Sequence, residues 1–263
     1  MVINEVVKTI FKQFIDDRCP QIAAALAYTT LLTLIPLTVL IYKVYSAAFI
    51  NPALSLKTQT FIFESLSPSM AKDVQQYLLD GAIQGASLGL FGILTLLISV
   101  IIMMYTIDTA LNSIWKIHSP GYLVRRIFVY LALLIFGPLA ISFSLFASTY
   151  IASLPLIVSL FGESFNHGIF NWLPFVVLWM AFTMLYKWVP DCQVRWSHAF
   201  VGATFAVCFF EIAKVGFTLY VSYFPSYQLL YGALAAIPLL LIWIYLTWVI
   251  VLLGAEVAYF MDK

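Results

Sequence analysis

Long apolar runs, broken by short clusters of charge, dominate the chain. Six of them reach the ~20 residues a helix needs to cross a ~30 Å hydrocarbon core. They lie at about 22–50, 86–111, 127–156, 169–190, 197–222 and 231–260. The first, third and sixth are long enough to tilt or bend. Pro36 in the first and Pro238 in the sixth each remove a backbone hydrogen bond, so each is expected to bend its helix. Ahead of the first run the period changes. Val2, Ile3, Val6, Val7, Ile10, Phe11, Phe14 and Ile15 recur at spacings of three and four, with Asn4, Glu5, Lys8, Lys12, Asp16 and Asp17 opposite. That pattern predicts an amphipathic helix within residues 1–21, lying along the cytoplasmic interface. Packing beneath the bundle is the rival placement. The first connection, 51–85, is the one substantial segment between runs. Ser67 and Pro68 fit an N-cap and first-turn pair there, followed by an apolar stripe of Val74, Tyr77, Leu78 and Ile83. Two short amphipathic helices forming a rim or lid are expected, since the segment is too small for a catalytic domain.

Composition settles the class. Of the 263 residues, 63% are hydrophobic and 10% charged, against ~25% charged in a typical soluble domain. Too little polar surface remains to cover a soluble core of this content. An ordinary soluble enzyme, a disordered chain and a secreted disulfide scaffold are excluded. Residues 1–263 read as a single all-α polytopic membrane domain with six spans.

Charge orients it. Lys8, Lys12, Arg18, Lys116, Arg125, Arg126, Lys187, Arg195 and Lys263 fall on one side of the expected bundle, and only Lys57 and Lys72 on the other. Positive residues collect on the cytoplasmic face, so both termini are expected there. The net charge of +1 offers no field for nucleic acid. Cys19, Cys192 and Cys208 lack metal-ligand spacing, and no metal or cofactor is expected.

Ionisable residues inside spans are the first candidates for chemistry, because each costs ~2.5–3.5 kcal/mol to insert. Glu211 and Lys214 share one face of the fifth span at i,i+3 spacing. Two readings are open: a polar step in an aqueous cavity, or a neutral ion pair holding helices together. Asp108, with Asn112 one turn on, and Glu256 lie near the inner ends of the second and sixth spans. They line a cytoplasmic vestibule or sit at the interface. Arg195 and Trp196 could hold a phosphate at headgroup level, or serve topology and the aromatic belt; Arg125 and Arg126 carry the same double reading. Gly85, Gly89 and Gly92 suggest close helix packing. No HExxH, GxSxG, Walker or GxGxxG motif is present, so nuclease or hydrolase machinery is not visible.

Four stretches resemble the YihY/BrkB family of bacterial inner-membrane proteins, once labelled ribonuclease BN. They are Ala23 to Pro36 (AAALAYTTLLTLIP), Ala110 to Trp115 (ALNSIW), Val194 to Ala199 with Glu211 to Lys214 (VRWSHA, EIAK), and Ser226 to Ala236 with Leu253 to Glu256 (SYQLLYGALAA, LGAE). Thr29 and Ser197 depart from the family pattern, which commonly has tyrosine and a basic residue there. The resemblance implies six spans and an inner-membrane location. It places Asp108, Asn112, Arg195, Glu211, Lys214, Tyr231 and Glu256 at motif positions. The expected function is a transporter or flippase-like exporter of an amphipathic or anionic envelope lipid or precursor. Arg195, Arg125 and Arg126 would attract the head, Glu211 and Lys214 form the deep step, and Asp108 and Glu256 line the entrance. The alternative is a non-catalytic subunit that docks periplasmic envelope proteins through 51–85; a membrane-bound ribonuclease comes last. Membrane lipids are the expected partners, and no nucleic acid is.

Overall fold

Two residues in the left-handed region mark where the helices turn. Arg18 (φ 55°) separates α1, Val2–Asp16, from α2, Cys19–Ala48. The Asp17 and Arg18 amides close the end of α1 on the Gln13 and Ile15 carbonyls, and the Arg18 carbonyl then accepts the Gln21 and Ile22 amides that open α2. Pro20 falls in that first turn, where its missing N–H is not needed. Lys116 (φ 58°) ends α3, Gly89–Ile114. Its amide bonds the Ser113 carbonyl and the Ile117 amide bonds Asn112, the paired closure of a Schellman cap.

The computed structural model describes residues 2–48, 89–117, 175–223 and 236–262. The remaining elements are α4, Phe175–Trp188, α5, Trp196–Tyr223, and α6, Ala236–Asp262. Every regular element among the described residues is helical. The first connection, the third expected span, Gly85, Arg125, Arg126 and Tyr231 lie outside them. Among the described residues, two helices, α5 and α6, are long and apolar enough to cross a membrane. Helices α2 and α3 run to 30 and 26 residues. α2 continues through Pro36 as one helix, and Pro238 lies in the first turn of the described α6.

α6 is the centre of the packing. It meets α5 along one side and α2 along another, and α2 also carries α3. Small residues let α5 and α6 approach: Ala199, Gly202, Ala203 and Ala206 recur on α5 at spacings of three and four, all buried. They face Gly254 and Ala258 so closely that a Cβ on Gly202 would stand 2.5 Å from the Gly254 carbonyl oxygen. Further along, Phe210 and Phe217 clasp Trp243, with ring centroids 5.6 and 4.9 Å away. The two helices therefore run antiparallel.

Outward faces are apolar too. Ile98, Ile101, Ile102 and Tyr105 on α3, and Phe209, Ile212, Val215 and Leu219 on α5, are exposed. Helices apolar on every side suit a lipid solvent. Hydroxyls on these helices bond carbonyls of their own preceding turn, as Thr29, Thr106, Thr204 and Thr218 do, which satisfies them without water.

α1 packs on the bundle along only part of its apolar face. Phe14 is buried and Ile10 packs on the core, while Val7, Phe11 and Ile15 form a second, exposed apolar strip.

Candidate functional site

The polar residues separate into two groups along the bundle. The first gathers where α1, α2, α3 and α6 meet. Glu256 is 1% exposed and Asp108 3%. The Cys19 thiol donates to Glu256 Oε1 at 3.4 Å. Just outside, Lys116 Nζ bonds Asp17 Oδ1 at 3.0 Å. That hydrogen bond raises the Lys116 pKa above its ordinary value, and the charges of Asp17, Tyr259 and Glu256 add to it. The Trp115 and Tyr259 rings meet edge to face, closing the cluster. A buried carboxylate needs hydrogen bonds, a counter-charge or a proton; Cys19 supplies the first and Lys116 lies near enough to contribute the second.

Asn112, also buried, does something more definite. Its Nδ2 donates to the Asp108 carbonyl at 3.0 Å, and its Oδ1 accepts the Asp191 amide at 2.9 Å. The side chain thus pins the 189–195 loop to the end of α3. Asp108, Asn112 and Glu256 are all buried.

The second group is the pair on α5. Lys214 Nζ lies 2.7 Å from Glu211 Oε1, and the side chains are 30% and 40% exposed. Lys214 also stands 5.7 Å over the Phe210 ring. Glu211 is level with Trp243, which places it about 20 Å along the bundle from Glu256 at 1.5 Å per residue. The two groups are separate sites.

At the α4–α5 corner, Arg195 is exposed and its carbonyl caps α5 by accepting the His198 and Ala199 amides. Trp196 beside it is 47% exposed. Lys187 Nζ donates to the Val194 carbonyl and sits 5.4 Å over the Trp196 ring. His198 Nδ1 lies 2.7 Å from Asp262 Oδ1, tying the start of α5 to the end of α6. In the intervening loop, burial raises the Cys192 thiol pKa, with Asp262 and Asp191 adding to the effect.

Sequence reasoning missed three contacts. The buried Tyr186 hydroxyl donates to the Val251 carbonyl at 2.8 Å, and its oxygen occupies the space a Cβ on Gly254 would need. Cys19 reaches Glu256 across the whole chain. The close crossing is at Gly202 and Gly254; its signal was the Ala199-to-Ala206 small-residue stripe.

Long helices with apolar outward faces, and with Asp108 and Glu256 drawn inside, define a helical membrane protein. The sequence profile of the virulence factor BrkB family matches residues 10–263, and the chain belongs to that family. A UPF0761 membrane protein of Legionella pneumophila (strain Corby) is 36% identical over 253 residues, covering 96% of this chain and 61% of the relative. One from Azotobacter vinelandii is 38% identical over 247 residues, covering 94% and 60%. One from Mannheimia succiniciproducens is 34% identical over 244 residues, covering 93% and 85%. The chain thus spans about three fifths of the length of the first two relatives. No solved structure matches it.

Proposed function

We propose that the chain is a transporter, a flippase-like exporter of an amphipathic or anionic envelope molecule such as a lipid or lipid precursor. It would sit in the bacterial inner membrane with six spans and both termini cytoplasmic. The observation that carries the reading is the Glu211–Lys214 pair. It lies near the middle of a 28-residue apolar helix, and its charged side chains are neither buried in the bundle nor at a helix end. A half-open ion pair at that depth is costly against hydrocarbon and comfortable against water. A hydrated path along α5 resolves the conflict. Arg195 would collect the anionic head at the cytoplasmic end, and the pair would carry it through the middle. Asp108 and Glu256, in the enclosed inner cluster, would become reachable as the loop or α1 moves. No nucleotide-binding motif is present, so an ion gradient, the substrate gradient or a partner would drive the cycle.

The test is movement of a fluorescent anionic phospholipid across liposomes holding the protein. Glu211→Gln and Lys214→Met each leave one charge unpaired and damage either kind of pair. The double variant separates them. For a translocation step it stays at least ~10-fold below wild type, because the polar step is gone. For a structural clamp it regains wild-type rates, which overturns the pair's role as the translocation step; no lipid movement by the wild-type protein overturns the exporter itself.

A further inference from the structure

Beside Arg195, the outer surface of α4 and α5 carries a row of aromatic rings. Four aromatic rings run in sequence from the loop end inward. Trp188 meets Trp196 edge to face at 6.4 Å, Trp196 meets Phe200 at 5.8 Å, and Phe200 stacks on Trp179 at 5.1 Å with 14° between planes. Trp188, Trp196 and Phe200 are 42%, 47% and 38% exposed. Exposed aromatic side chains in contact with one another form a ridge, not a core. The inner end is self-satisfied: Trp179 Nε1 donates to Thr204 Oγ1 at 2.9 Å, and Thr204 Oγ1 donates to the Phe200 carbonyl at 2.8 Å. It needs no water. The outer end is polar and cationic. Lys187 holds the Trp196 ring in place from the Val194 carbonyl. Asp262 is engaged by His198. Arg195 is exposed and makes no ion pair among the described residues.

We infer that this ridge is a binding site for one phosphate-bearing membrane lipid. The Arg195 guanidinium forks the phosphate. The Trp188 and Trp196 indoles lie at glycerol and headgroup level, where tryptophan is favoured. One acyl chain follows Phe200 and Trp179 towards Thr204, about 12 Å deeper along α5. Charge complementarity selects the occupant: an exposed cation beside an exposed apolar ridge fits a molecule that joins an anionic head to an acyl chain. The rings are fixed by stacking before the lipid arrives, so little ordering is needed on binding. The site rests on the membrane placement proposed above and deepens it at the loading end.

The test uses the full chain in nanodiscs containing phosphatidylglycerol with a photoactivatable group in its acyl chain, mapped by mass spectrometry. The expected result is labelling concentrated at Phe200, Val201 and Thr204. Arg195→Glu lowers it about tenfold, the change that ~1.4 kcal/mol of lost phosphate contact produces. Phe200→Ala, which leaves Arg195 in place, weakens it as well. Labelling at exposed Ile212 and Val215 further along α5 reports the membrane placement itself and is unchanged in both variants. Labelling at those two positions equal to that at the ridge, and insensitive to Arg195→Glu, overturns the site while leaving the placement standing. No labelling anywhere on α5 overturns both. Displacement by inorganic phosphate alone assigns Arg195 to a free anion and overturns the lipid.

Discussion

Gly254 shows how much a single hydrogen decides here. A methyl at this position would stand 2.5 Å from the Tyr186 hydroxyl and 2.8 Å from the Ala206 Cβ. Neither can retreat easily, since Tyr186 is hydrogen-bonded to Val251 and Ala206 lies in the closest part of the α5–α6 crossing. Overpacking of this kind costs about 1–3 kcal/mol. Gly254→Ala is therefore expected to lower the thermal midpoint of the purified protein. Gly216→Ala is the control: a Cβ there meets nothing within 4 Å, and alanine favours helix by up to ~1 kcal/mol. Glu211 and Lys214 were legible as a pair in the sequence, because i,i+3 spacing puts two side chains on one helical face. Tyr186 was not legible, because its partner is a main-chain oxygen and no side-chain pattern announces one.

At the scale of elements, the 189–195 loop is where packing and accessibility are linked. Asn112 holds the loop by its Asp191 amide and holds Asp108 by its carbonyl. Asn112→Ala removes both bonds at once, each worth about 0.5–1.5 kcal/mol, and with them the tie between the loop and the end of α3. The loop should loosen before the helices do. Cys192 reports it: its thiol is half-buried and its pKa raised, so little thiolate forms near neutral pH and alkylation is slow. In Asn112→Ala, alkylation of Cys192 is expected to quicken several-fold while helical content is unchanged. An unchanged rate would show that the loop does not depend on Asn112. Hydrophobic runs located α2, α3, α5 and α6 in the sequence, since a helix in an apolar solvent is marked by length alone. Which faces pair was hidden for the same reason. When every side is apolar, periodicity carries no direction, and only the small-residue stripe from Ala199 to Ala206 marks a contact. α1 was the reverse: its period was plain, but one apolar face proved to be two strips with different neighbours.

The molecule as a whole places its charges at two levels. An enclosed acidic cluster stands at the end formed by α1, α2, α3 and α6, and a half-open ion pair stands about 20 Å away along α5. The two levels were legible in the sequence, which put Asp108 and Glu256 near the inner ends of their spans and Glu211 and Lys214 deep in the fifth; the antiparallel register, set by Gly202 against Gly254 and Phe217 against Trp243, was not. Membership of the BrkB family accounts for the motif blocks; the transport reading rests on whether water reaches the middle of α5. Single cysteines at positions 211 and 214, in a background lacking Cys19, Cys192 and Cys208, test this in intact membranes with membrane-impermeant thiol reagents applied from either side. The account predicts labelling at one or both positions, with protection by an anionic lipid that fits the path. Absence of labelling at both, in protein that remains folded, would make the pair a dry clamp and contradict the account.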